Sequence, residues 1–146
     1  MNLSAHFTLA EMSRSAGAIR RGLDNTPPPQ AVAALRLLCQ HVLEPVRAHF
    51  ARPVAITSGY RSPALNKAVG GAANSAHVLG LAADISTAKL TPKALALLIR
   101  QSDIAFDQLI YEGTWVHIAL SVGALRRQVL TAKFAGGGVS YVAGIV

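Results

Sequence analysis

The apolar positions of the chain follow two different periods, and the switch between them outlines the elements. From Gln30, the residues Val32, Leu35, Leu38, Cys39, Val42, Leu43 and Val46 recur at the three- and four-residue steps that line one face of a helix. One long amphipathic helix is predicted there. Pro45 should kink it or split it in two, because proline lacks the amide hydrogen and its ring clashes with the preceding turn. Thr8 followed three residues on by Glu11 is a capping-box pattern and opens a short helix. Thr91 and Pro92 read as an N-cap and a first-turn proline, starting a helix that runs to about Gln101. Alternation marks the strands: "PVAITSGY" with Val54 and Ile56 inward, then "LAADIS". "FDQLIYEGTWVHIAL" reads as a hairpin turning at Glu112-Gly113-Thr114.

Between these elements, "DNTPPP" at 24–29 is a rigid connector, and residues 61–77 are a long Gly/Ala/Ser/Asn-rich loop with room for one helical turn. "RRQVLTAK" is either a strand or a short helix, and the glycine-rich tail from about residue 135 is assigned no fold. The order predicts an α+β fold, an antiparallel sheet with helices packed against it, in a single domain over 1–146.

Composition narrows the picture. Hydrophobic residues make up 51% and charged residues 14%, so a packed globule is expected and disorder is not. The single cysteine, Cys39, excludes a disulfide framework and a cysteine-rich zinc site, and reads as a small core residue on a helix. No basic start followed by an apolar run marks a secretory signal, and no stretch approaches the ~20 apolar residues of a membrane span. Synthesis in the cytoplasm, export by an outside agent and no integral membrane association are therefore expected. A net charge of +7 with 7 acidic residues favours an anionic partner: nucleic acid, a membrane surface or an anionic wall polymer. The basic residues are scattered and aromatics are only 5%, so a specific nucleic-acid interface is not expected.

The candidate chemistry lies in "NSAHVLGLAAD", residues 74–84, and in the hairpin. His77 precedes a glycine turn, Asp84 lies on the strand after it, and His117 lies on the second hairpin strand. Two imidazoles and a carboxylate are the N/O set of catalytic zinc, with a fourth position left for water. They could equally be unrelated polar residues near a turn. The helical H-E-x-x-H pattern is absent, which excludes that class of zinc protease.

Two spaced motifs now carry a resemblance. "SAHVLGLAAD" fits S-x-H-x-x-G-x-A-x-D and "WVHI" fits W-x-H. Together with "HFTLAEMSRS", "NTPPP", "LEPVRAHF" and "TSGYRSPALNKAVGGAANSAH", they resemble the zinc D-alanyl-D-alanine carboxypeptidase and endopeptidase family, in particular its small phage-encoded branch. That family cuts peptidoglycan stem peptides and shares its fold with Hedgehog signalling domains. The resemblance implies one zinc ion per chain, held by His77, Asp84 and His117. It implies that Ser75 helps bind substrate and that Arg61 polarises the scissile carbonyl and stabilises the oxyanion. A guanidinium fixed at developing negative charge is physically suited to that role.

The resemblance departs from the family pattern at one position. Many members carry an acid three residues before the last histidine, where this chain has Thr114. Glu112 is the nearest acid and the first candidate for the general base; its other reading is a solvated turn residue. Asp107 is the alternative base, or else a pairing or capping residue at the strand start. Trp115 and Tyr60 either line the substrate cleft or fill the core. Gln108 would face His117 across a two-residue hairpin loop and orient it, an arrangement that a one-residue slip of register would cancel. His6, His41 and His49 have no ligand-like companions, and the last two read as helix-surface residues.

The expected function is hydrolysis of stem-peptide bonds in peptidoglycan, as an L-Ala-D-Glu endopeptidase or a D-Ala-D-Ala carboxypeptidase. It would serve phage lysis or wall remodelling, in a monomer acting at the cell wall or carried on a virion. The alternative is a non-catalytic wall- or virion-binding module on the same fold.

Overall fold

In the computed structural model, which describes residues 1–146, the chain is organised by a six-stranded sheet of order β1-β2-β4-β3-β5-β6. The strands are β1 (Val54–Ser58), β2 (Ala82–Thr87), β3 (Gln108–Tyr111), β4 (Val116–Ala119), β5 (Gln128–Ala135) and β6 (Gly138–Ala143). All neighbours are antiparallel except β3 and β5, which run parallel. Topology explains the exception. β4 is already flanked by β2 and β3, so β5 joins the sheet at the nearby free edge of β3. The chain leaves β4 at the end where Gln108 pairs with Ala119, and β5 starts there, with Gln128 beside Gln108.

The helices are α1 (Leu9–Ser13), α2 (Ala16–Arg21), α3 (Pro29–Leu38), α4 (Glu44–Phe50), α5 (Pro63–Ala68), α6 (Ala76–Leu79) and α7 (Pro92–Gln101). The capping box forms as predicted: the Thr8 hydroxyl accepts from the Glu11 amide and the Glu11 carboxylate accepts from the Thr8 amide. The long helix is split as expected, and the device is a π-helical turn, Cys39–Leu43, set just before Pro45. Proline supplies no amide at that point, and the wider i→i+5 pairing, Glu44 N to Cys39 O, carries the ladder past it.

One face of the sheet is packed. Ala83 and Ile85 of β2, Val116 and Ile118 of β4 and Leu109 of β3 meet Leu35, Leu38 and Val42 from the α3 side and Leu95 and Ile99 of α7 in one buried cluster. Cys39 belongs to it, and burial pushes its thiol up to about 12, so it is an inert core group. No helix is long and apolar enough to cross a membrane.

Two expectations change. Residues 61–77 contain two short helices rather than a loop with one turn. Ser62 and Ser75 cap them, each accepting a hydrogen bond from a first-turn amide. The glycine-rich C-terminus is a strand, not an unassigned tail. Gly136 and Gly137, with φ of 58° and 79°, make the tight reversal that lets β6 fold back on β5. "RRQVLTAK" accordingly resolves to strand, β5 from Gln128.

Candidate metal centre

The second face of the sheet carries the site. Directly opposed residues of antiparallel strands project from the same face, and Asp84 of β2 is opposite His117 of β4. His77 reaches them from α6. That one-turn helix ends at Gly80 with φ of 77°, and a Cβ there would stand 2.6 Å from the Ala31 carbonyl oxygen. Glycine is required at that position by both conformation and space, and the reversal it permits leads straight into β2.

His77 Nε2 lies 3.4 Å and His117 Nδ1 lies 3.1 Å from the same Asp84 oxygen, Oδ1. The three ligand atoms are all within 4.8 Å of one another. His77 Nδ1 meets the Gly59 carbonyl at 2.7 Å. A carbonyl only accepts, so Nδ1 carries the proton and Nε2 turns its lone pair to the centre. Gly59 can approach because it lacks a side chain: a Cβ would sit 2.3 Å from the Met12 carbonyl oxygen. Burial pushes the Asp84 carboxyl up, but with His117 and His77 protonated their hydrogen bonds and charge outweigh it and hold the group below the usual carboxylate range. Two imidazoles, one with its tautomer fixed by backbone, and an ionised carboxylate fit a catalytic zinc that keeps one position open.

Glu112 and Arg61 flank this cluster. The turn over residues 112–115 is closed by the Glu112 amide donating to the Trp115 carbonyl at 3.1 Å. It brings Glu112 Oε1 to 3.9 Å from His117 Nδ1. Burial pushes the Glu112 carboxyl up and the Asp84 charge adds to this, against the opposing influence of His117, Arg61 and Trp115. Arg61 sits where it senses both Asp84 and Glu112, while burial pulls its pKa down. Its Nε is buried without a hydrogen-bond partner, a state that costs about 1–3 kcal/mol unless a ligand relieves it.

The Arg61 loop is clamped by a residue the periodic reading overlooked. Asn25, in the proline-rich connector, donates through Nδ2 to the carbonyls of Ser13 (2.8 Å) and Tyr60 (3.0 Å). Its Oδ1 accepts from the Ser62 amide at 2.7 Å. Asn25 thus holds both neighbours of Arg61, and the Arg61 amide itself donates to the His77 carbonyl at 3.1 Å. The Asn-Thr-Pro sequence marks a turn, and nothing in it tells which loop the side chain will grip.

The remaining expected residues divide. Ser75 borders the site, its Oγ accepting from the His77 amide at 3.2 Å, which leaves its own hydroxyl hydrogen free to donate. Trp115 is half-buried at the turn with its indole nitrogen unpartnered.

Three expectations are corrected. Tyr60, at 4% exposure, belongs to the core cluster and not to the cleft surface. Gln108 pairs with Ala119, while His117 pairs with Ile110, because the hairpin loop spans 112–115 and is not two residues long. Its side chain donates instead to Gln128 Oε1 at 2.8 Å, so it does not orient His117. Asp107 is not a free base, since Arg126 grips it through Nη2 at 2.7 Å and through Nε and its backbone amide. His6 belongs to no metal-type cluster; it meets Glu44 Oε1 at 2.7 Å and pins the N-terminal segment to α4, and His41 and His49 are exposed on the helices.

A family model described as peptidase M15 matches residues 5–119. No curated protein matches the chain.

Proposed function

The chain belongs to the peptidase M15 family, whose members are zinc-dependent peptidases, and from that premise we propose that it hydrolyses amide bonds in peptidoglycan stem peptides. The observation that carries this reading is the convergence of His77, Asp84 and His117, with Glu112 and Arg61 beside them.

In this reading His77, Asp84 and His117 hold one zinc ion per chain. Zinc bound there supplies a Lewis acid for the scissile carbonyl and draws the pKa of a water towards ~7. The chain's own groups do the rest. The Arg61 guanidinium places fixed positive charge where the carbonyl oxygen becomes negative. Glu112 accepts the proton of the attacking water and returns it to the leaving amine, and a carboxyl pushed up by burial is suited to move a proton both ways. The free hydroxyl hydrogen of Ser75 donates to the peptide backbone, and Trp115 borders the scissile bond.

Resemblance to the small phage-encoded branch favours an L-Ala-D-Glu endopeptidase over a D-Ala-D-Ala carboxypeptidase, in lysis or wall remodelling. A net charge of +7 would draw the protein, acting as a monomer, to the anionic wall. Mass spectrometry of purified muropeptides after incubation separates the activities. The endopeptidase exposes a new D-glutamate amine; the carboxypeptidase releases free D-alanine. Thr114, where many relatives carry an acid, favours a second reading, a wall-binding module without turnover. That reading predicts retained zinc and muropeptide binding with neither product formed, an outcome that would overturn the enzyme reading.

A further inference from the structure

The match to the peptidase family ends at residue 119, yet the sheet continues through β5 and β6. Register fixes which of their side chains share the face of the metal centre. His117 is opposite Ile110, Ile110 is beside Leu130, and Leu130 is opposite Ala143. Asp84, His117, Ile110, Leu130 and Ala143 therefore form one row across that face. Alternation then puts Ala132, Phe134, Val139 and Tyr141 on it too, two and four residues further along.

The row containing Tyr141 leads to the catalytic acid. Tyr111 beside Thr131 is the last pair of the parallel ladder, and Glu112 and Ala132 are the next residues along the two chains. Ala132 is opposite Tyr141. Glu112 and Tyr141 are thus two strand spacings apart, about 10 Å between backbones, with only the small Ala132 between them. A tyrosine ring leaning over an alanine spans much of that distance. Although the residue is half exposed, partial desolvation of the Tyr141 hydroxyl pushes it up, and the Glu112 charge adds to this.

Exposure points the same way. The chain has four phenylalanines, three tyrosines and one tryptophan, and only Phe134 and Tyr141 among them are exposed, at 62% and 51%. Val139 beside them is 48% exposed. Exposed aromatics grouped on the face of a candidate catalytic centre form a surface suited to contact with a ligand. The hairpin that carries them is anchored: the Gly144 amide donates to the Val129 carbonyl at 2.9 Å, the Thr131 hydroxyl donates to the Gly144 carbonyl at 2.7 Å, and Ile145 packs on the core.

We propose that the β5–β6 hairpin is the far wall of the substrate cleft and that Tyr141 is a specificity-determining residue, its ring packing against the stem peptide beyond the scissile bond. The inference rests on the peptidase reading of the centre. A peptide held at Glu112 and running along the sheet crosses Ala132 and meets the Tyr141 ring. A substrate truncated on that side ends before reaching it.

The test is steady-state kinetics of the full-length wild type, Tyr141→Ala and Tyr141→Phe on a disaccharide tetrapeptide and on stem peptides shortened from either end. Tyr141→Ala is expected to raise KM about fivefold to tenfold on the longer substrates, the size of one lost apolar ring contact, with kcat within about twofold. Tyr141→Phe should keep the wild-type KM, and substrates that stop short of the wall should not distinguish the variants. An unchanged KM in Tyr141→Ala on every substrate overturns the proposal. If wild type turns over none of them, the peptidase reading fails, and calorimetric titration with the tetrapeptide still decides the wall: equal affinity of wild type and Tyr141→Ala overturns it, and a fivefold or larger loss supports it.

Discussion

Asp107 and Glu112 stand immediately before and after the same strand, β3, and both are shielded from solvent, yet the molecule treats the two carboxylates in opposite ways. Asp107 has a cation of its own: hydrogen bonds from Arg126 hold its pKa down, against the smaller effect of burial. Glu112 faces no ion-pair partner closer than His117 at 3.9 Å, and burial with the Asp84 charge pushes its pKa up. A carboxylate that is satisfied has a structural task, and one left under-satisfied beside a cluster of metal-binding type is free to exchange a proton. Sequence position alone makes them equal candidates, and their partners separate them.

Substitutions at the two ends of β3 and around them sharpen that contrast. The largest effect should come from the centre itself. His117→Ala is expected to lose the metal and about 10³-fold or more in kcat/KM, measured with elemental analysis of the same sample. Glu112→Gln should lose about 10²- to 10⁴-fold in kcat while keeping its zinc, whereas Asp107→Asn should stay within about threefold of wild type. Equal losses for the two acid variants would erase the distinction drawn between them. Arg61→Lys keeps the charge but not the planar fork, and about 10²-fold in kcat is expected to go with unchanged zinc content.

The smallest effect belongs to Asp107, and it lies in stability. Arg126 is exposed, so Asp107→Asn should cost about 1 kcal/mol in urea unfolding at neutral pH. The folded Asp107 carboxyl sits below its unfolded value. Its contribution is therefore complete above the ordinary carboxylate range near ~4 and is lost as pH falls through the lowered folded pKa. The wild-type advantage over Asp107→Asn should shrink along that acid limb, and an advantage that stays constant down to pH 2 contradicts the assignment.

The centre was legible in part. His77, Asp84 and His117 are of the donor types that a metal takes, but type and spacing leave them open between a metal centre and unrelated polar residues; the resemblance of two spaced motifs to a known family singles them out, and the structure brings the three together. The groups that support them are backbone atoms or distant loops. The Gly59 carbonyl that fixes the His77 tautomer has no sequence signature, and Asn25 reaches Arg61 from a connector far along the chain. Strand register is the feature that the sequence encodes least directly. A hairpin loop over 112–115 in place of two residues moved Gln108 from His117 to Ala119. Residues 61–77 hid two helices because Gly, Ala and Asn suggest loop, although Ser62-Pro63 is a cap followed by a first-turn proline. β6 was missed because its flanking glycines mask a short alternation that only pairing with β5 stabilises.

The central proposed feature of the molecule is Glu112 acting beside a zinc held by His77, Asp84 and His117. The direct measurement pairs zinc analysis with mass spectrometry of digested peptidoglycan, for wild type and Glu112→Gln side by side. One zinc per chain in both proteins, with a stem-peptide amide cut by wild type alone, is the predicted result. One zinc per chain with no new amine from wild type, or equal cleavage by Glu112→Gln, would contradict it.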